Sequence, residues 1–190
     1  MRFTSDDQRK AVMAKLSRRP GRVLVHIAGP SGAGKTTLMR RLQRQFPAVR
    51  FKDLDDFSQK EPEWSLATRR RYRQWLRRQG DRPVVVVGFE RKYTPGGRHV
   101  PLRAHRADMP IPPDARRYRL RTWPIVAAWR RMKREGRGWS SVLSRRFIDA
   151  WRAGQADVDL YDRLGYRPAS AREIERDLAA LLAGQQKARA

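Results

Sequence analysis

Residues Gly29, Pro30, Ser31, Gly32, Ala33, Gly34, Lys35 and Thr36 fit the pattern G-x-x-x-x-G-K-[ST] without deviation, and Thr37 follows them. The residue types limit what such a loop can do. Glycine lets the backbone close on a phosphate with no Cβ in the way. Successive N–H groups leading into a helix N-terminus make a nest for an anion. Lys35 is placed to reach the β- and γ-phosphates of a nucleotide, and the Thr36 hydroxyl to ligate Mg²⁺. The flanks agree. Arg22 to Ala28 is a short β-branched run that reads as a buried parallel strand. Leu38, Met39 and Leu42 mark one side of a helix over 35–46. The bland alternative is a glycine-rich turn that binds nothing, and it leaves the complete motif unexplained.

A second cluster is acidic. Val49, Phe51 and Asp53 alternate with Arg50 and Lys52, so a strand should end in Asp53-Leu54-Asp55-Asp56-Phe57. Strands of a parallel α/β sheet deliver their C-terminal ends to one edge, where the ligand crevice lies. Asp53 is therefore expected beside the glycine-rich loop. Three crowded carboxylates repel one another and call for Mg²⁺ or Arg to neutralise them. The competing reading is an acidic turn or helix cap. Glu90 follows the valine run 84–87, and is either an outer contact to Mg²⁺ or a salt-bridge partner of nearby arginines. Arg130 and Arg134 are one helical turn apart and would point together, with Arg137 beyond them.

The segments IAGPSGAGKTTL, DLDDF and YRLRTWP with its following arginines resemble the P-loop kinase superfamily of nucleoside, nucleotide and shikimate kinases. The resemblance covers most of residues 22–182. It implies ATP and Mg²⁺ in the loop. It also implies that one Asp of Asp53 and Asp55 orients Mg²⁺ and its water while another takes the acceptor hydroxyl. Arg130 and Arg134 become lid arginines that close over ATP and stabilise the transferring phosphoryl group, a role suited to the planar guanidinium fork. A carboxylate near the hydroxyl can accept its proton and aim it in line with the γ-phosphate. The choice between Asp53, Asp55 and Asp56 as base stays open. Other P-loop classes lack their marks here. There is no Asn-Lys-x-Asp, no Leu-Ser-Gly-Gly-Gln and no acidic pair after the valine strand.

The elements that position these residues follow from pattern. Ser5 to Gln8 is a capping box opening a helix over 5–19. Residues 64–79 read as a helix, with Thr68, Tyr72, Trp75 and Leu76 on one face and arginines on the rest. Residues 83–88 are the strongest strand signal, and 91–113 read as a long loop. A strand over 117–121 follows, then Thr122 as the cap of a helix with Pro124 in its first turn, running to Glu135. A helix around 142–151, a short strand at 165–167 and a helix through Leu182 opened by Ser170-x-x-Glu173 complete the chain. The expected fold is α/β, a three-layer sandwich with a central parallel sheet of about five strands and helices on both faces. Residues 1–190 read as one domain, with an acceptor-binding segment at 57–80 and a lid at 123–155.

Composition bounds the function. Of 44 basic residues eight are lysine and 36 arginine, and the net charge is +25. Such a chain is drawn to polyanions, although GC-rich coding produces the same excess. The absence of cysteine excludes disulfides, cysteine-ligated zinc and a thiol nucleophile. The apolar stretches are too short to span a bilayer, so no membrane is expected and a cytoplasmic protein is. Arginines in 69–78, with Trp64, Tyr72 and Trp75 for stacking, could grip a polyanionic acceptor; a solvated face over an aromatic core stripe is the alternative. Met13, Met39 and Met132 read as core, and His99 and His105 as surface. Three functions follow. The first is a kinase of a small hydroxyl or phosphate acceptor. The second is a polynucleotide 5′-hydroxyl kinase. The third is a non-catalytic module that binds nucleotide and nucleic acid.

Overall fold

The computed structural model describes residues 22–58, 66–88, 111–112, 114–134 and 145–187. The helix expected over 5–19, Met13, Trp64, Glu90, most of the 91–113 loop, His99, His105 and Arg137 lie outside the described residues.

β1 (Arg22–Ala28) is buried from its second residue onward and occupies the middle of the sheet. α1 (Lys35–Gln45) follows the glycine-rich loop, and then β2 (Arg50–Asp53), α2 (Asp55–Ser58), α3 (Leu66–Gln79) and β3 (Pro83–Val87). Beyond them come β4 (Arg116–Leu120), α4 (Pro124–Arg134), α5 (Arg145–Arg163), β5 (Arg167–Ala169) and α6 (Ala171–Lys187). The five strands are all parallel in the order β2-β3-β1-β4-β5. Parallel neighbours need long crossovers, which the helices supply.

Alternation along the strands divides the core. Val25, Ile27, Val85 and Val87 meet Leu38 and Leu42 of α1 and Ile174 and Leu178 of α6 on one face. Val23, Val84 and Val86 meet Tyr72 and Leu76 of α3 on the other. Helices thus cover both faces, giving the three layers. Val84 to Val87 are fully buried, as a valine run between two helical layers must be. Met39 packs against the first cluster and Met132 is buried between α4 and α5.

Four local expectations change. β4 starts and ends one residue earlier than read, and Arg119 within it is buried at 8% exposure. Its guanidinium is answered by Asp162 of α5, through Nε at 2.9 Å and Nη2 at 3.2 Å. A two-pronged carboxylate pair can hold a buried charge that a lone carbonyl could not. Thr122 does not cap α4: its hydroxyl donates to the Ala33 carbonyl at 3.2 Å, and the helix begins at Pro124 with Ala127 N–H donating to the Trp123 carbonyl. α5 runs twelve residues past the expected end at 151, to Arg163, and β5 sits at Arg167–Ala169 rather than 165–167. The Ser170–Glu173 box forms in full, with Ser170 N–H donating to Glu173 Oε2 at 2.6 Å and Glu173 N–H to Ser170 Oγ at 3.3 Å. Among the described residues no helix is long and apolar enough to cross a membrane.

Candidate active site

The glycine-rich loop leaves the C-terminal end of central β1 and turns directly into α1. Gly34 stands at the N-cap, no side chain caps the helix, and its first turn holds no acidic residue. The first-turn N–H groups and the positive end of the helix dipole therefore face the cleft. Gly29 and Pro30 are buried, and their carbonyls accept the Lys35 ammonium at 2.8 and 3.1 Å. Ser31 through Thr37 line a cleft of about 790 Å³.

Gly32 makes the tightest approach. Its φ is +89°, and a Cβ there would lie 2.3 Å from the Ala127 carbonyl oxygen of α4. The loop and α4 are thus in backbone contact, which brings the α4 arginines over the nest. Arg134 Nη2 donates to Ser31 Oγ at 3.2 Å, and an Arg130 Nη1 lies 3.8 Å from where a Gly34 Cβ would be.

Asp53 and Asp55 form part of the same wall. Asp53 ends β2, next to β3, and its Oδ1 accepts the Asp55 N–H at 3.0 Å. The carboxylate thus serves as a turn acceptor and as a cleft group at once. Burial pushes the Asp53 carboxyl above its ordinary range, as does the nearby Asp56, while the Asp55 N–H, Lys35 and Lys52 pull it down. Asp56 turns out of the cluster and pairs with Lys52 at 2.6 Å. Phe57 packs edge-on against Tyr72 and Trp75, so those aromatics serve the core of α3 rather than an open stacking platform.

Mg²⁺ suits this donor set. It takes hard oxygen ligands, usually one or two carboxylates with phosphates and waters. Thr36, Asp53 and Asp55 offer such oxygens on one cleft. Among the described residues no group of three His, Cys, Asp or Glu could hold a metal alone, so phosphate oxygens would have to complete the shell.

Besides Thr122, four polar cleft residues were not anticipated there: Arg41, Arg44, Arg121 and Ser170. Two signals point to them. Thr37, Arg41 and Arg44 stand at i, i+4 and i+7 on one face of α1. Arg121 and Ser170 each directly follow a strand's C-terminal end, where the sheet presents its ligand edge.

Comparison with protein-family models gives no match, and comparison with curated proteins gives none. Solved structures similar to the chain include two shikimate kinases. One is shikimate kinase from Acinetobacter baumannii in complex with shikimate, 17% identical, TM-score 0.46, covering 90% of this chain and 97% of that one. The other is shikimate kinase from Bacteroides thetaiotaomicron, 16% identical, TM-score 0.47, covering 85% and 98%. The fold is a three-layer α/β sandwich with a P-loop at the end of its central strand. This chain's own loop, central β1 and parallel sheet carry that description.

Proposed function

We propose that the protein is an ATP-dependent phosphotransferase that moves the γ-phosphoryl group to a hydroxyl or phosphate acceptor. The carrying observation is convergence: the uncapped start of α1, the Asp53 carboxylate and the α4 arginines Arg130 and Arg134 meet on one cleft. In this reading Lys35 leaves the Gly29 and Pro30 carbonyls for the nucleotide phosphates. Thr36 and Asp53 would hold Mg²⁺ and its water. The ion supplies charge neutralisation at the β- and γ-phosphates. Asp55, the more exposed of the two cleft carboxylates, takes the proton of the acceptor hydroxyl and aims its oxygen. Arg130 and Arg134 stabilise charge on the transferring group. Catalysis is then mostly positioning, and α4 helps exclude water that would waste ATP. A protein that draws on Mg·ATP in this way belongs in the cytoplasm.

The test is steady-state ATP turnover with Mg²⁺ against nucleosides, nucleoside monophosphates, shikimate, gluconate and 5′-hydroxyl oligonucleotides, with Lys35→Ala as control. Lys35-dependent turnover raised by one acceptor is expected. Asp55→Asn should lower kcat by about 10²–10⁴-fold while nucleotide binding persists. Tight nucleotide binding with no stimulation by any acceptor would turn the reading toward a non-catalytic module.

One observation favours the polynucleotide acceptor as a second reading. Arg70, Arg73 and Arg77 are exposed and follow i, i+3, i+7 down one side of α3, which carries no acidic residue. Arg70→Gln, Arg73→Gln and Arg77→Gln together should then lower the slope of log affinity for single-stranded DNA against log salt by about 2. Three arginines changed elsewhere on the surface should remove only their share of plain polyanion attraction, with no loss of 5′-end preference.

A further inference from the structure

His26 is a polar side chain in the middle of apolar β1, with no exposed surface. Both of its ring nitrogens are engaged. Nε2 lies 2.6 Å from the Gly88 carbonyl oxygen, and Nδ1 lies 2.7 Å from the Tyr166 hydroxyl. A carbonyl only accepts, so Nε2 carries the hydrogen. Nδ1 is then the acceptor, and the Tyr166 O–H donates to it. The tyrosine thereby selects the tautomer, as an outer partner does for a ligating histidine. Burial keeps the ring neutral, lowering its pKa to about 4, with Arg117 and Lys35 acting in the same direction.

The residue at the far end of this bond bears on the site. Gly88 directly follows β3, has φ +103°, and donates its N–H to the Ile27 carbonyl at 3.0 Å. A Cβ on Gly88 would lie 2.9 Å from Asp53 Oδ1. The Asp53 carboxylate therefore rests against the Gly88 backbone. A glycine at positive φ has an easily rotated peptide beyond it, and the His26 bond holds that peptide in one orientation. The other end of the network reaches the glycine-rich loop. Tyr166 packs edge-on against Tyr161 at 5.4 Å, and the Tyr161 hydroxyl donates at 3.4 Å to the Gly29 carbonyl, the oxygen that also accepts Lys35.

We infer that His26, held as its Nε2–H tautomer by Tyr166, is a positioning residue that fixes the Gly88 peptide on which the Asp53 carboxylate is seated. This rests on the phosphotransferase reading for its effect on turnover, but not for its geometry.

Three variants test it. His26→Leu removes both bonds, His26→Gln keeps a donor within reach of Gly88, and Tyr166→Phe removes the hydrogen bond to Nδ1. The measurements are kcat and KM with the acceptor that supports turnover, the Mg²⁺ dependence of binding of a fluorescent ATP analogue, the thermal midpoint, and the ring ¹⁵N shifts of His26. His26→Leu and Tyr166→Phe should lower kcat by about 10-fold or more, in the range seen for outer-shell partners, with the KM for ATP nearly unchanged. His26→Gln should recover most of that loss. The wild-type ¹⁵N spectrum should show the Nε2–H form. Wild-type kcat in Tyr166→Phe and in folded His26→Leu, with only the thermal midpoint lowered, overturns the inference. So does an Nδ1–H ring in the wild type. Should no acceptor support turnover, the phosphotransferase reading fails while the inference is still decided. A weaker Mg²⁺ requirement for analogue binding in Tyr166→Phe sustains it, and an unchanged one ends it.

Discussion

Gly32 and Gly88 both have positive φ, yet substituting them should have different effects. A methyl at Gly32 meets the Ala127 carbonyl at 2.3 Å, and a backbone carbonyl cannot swing aside. Gly32→Ala should cost about 1–3 kcal/mol in urea denaturation from strain alone, more from the clash, and should raise the KM for ATP as Arg130 and Arg134 move off the nest. A methyl at Gly88 meets the end of the Asp53 side chain instead, so Gly88→Ala should lower kcat more than its strain lowers stability. Gly165 is the control, with φ +75° and nothing within 4 Å of its Cβ. Gly165→Ala should lower the urea midpoint while leaving turnover unchanged. The loop motif itself could be read from the sequence because eight consecutive residues carry its chemistry. Gly32 is an unspecified position of that motif, and its constraint comes from Ala127, a contact that residue spacing cannot reveal.

The helix starts show where element reading succeeds and where it stops. Ser170 and Glu173 satisfy each other's backbone N–H groups, and everything needed lies within four residues. Ser170→Ala should cost about 1 kcal/mol of unfolding free energy, seen as a lower urea midpoint at an unchanged slope. Thr122 has the same local credentials before Pro124, but the Ala33 carbonyl takes its hydroxyl. The element-level reading failed there because the helix starts at Pro124, which makes Trp123 the N-cap, and the Thr122 hydroxyl donates to a distant carbonyl instead of accepting a local N–H. The partner of Arg119 was likewise out of local reach. Strand alternation turns the arginine away from Tyr118 and Leu120, and only α5 brings Asp162 to it, from 43 residues along the chain. Asp162→Asn should cost about 2 kcal/mol, as the loss of a charge-assisted bond to a buried group does, with a matching fall in the thermal midpoint. His26 was equally hidden. A single histidine in an apolar strand carries no local sign of Tyr166 or Gly88.

For the whole molecule, β1 and β3 were legible from β-branched runs and β2 and β4 from alternation, while β5 was misplaced, and the order β2-β3-β1-β4-β5 depends on pairings between distant segments, such as Val25 with Val85 and with Arg116. The charge of +25 was equally plain, though not its arrangement. The buried histidine adds a global pH dependence. Folded His26 has a pKa of about 4, against 6.5 for an exposed ring, so between those values the unfolded chain binds the extra proton. Its contribution is complete above about pH 6.5 and is lost as pH falls toward 4, by roughly 3 kcal/mol at most. Urea midpoints at pH 4.5 and 7 should differ more in the wild type than in His26→Gln. The Gly32–Ala127 contact has a mechanical consequence as well. With loop and helix touching backbone to backbone, α4 has a fulcrum near its first turn. Arg130 lies three residues beyond that pivot and Arg134 seven, lever arms of about 4.5 and 10.5 Å at helical rise. Rocking α4 by a given angle would sweep Arg134 more than twice as far as Arg130. The outer arginine would work as the moving jaw of a clamp, and the inner one as its nearly stationary heel.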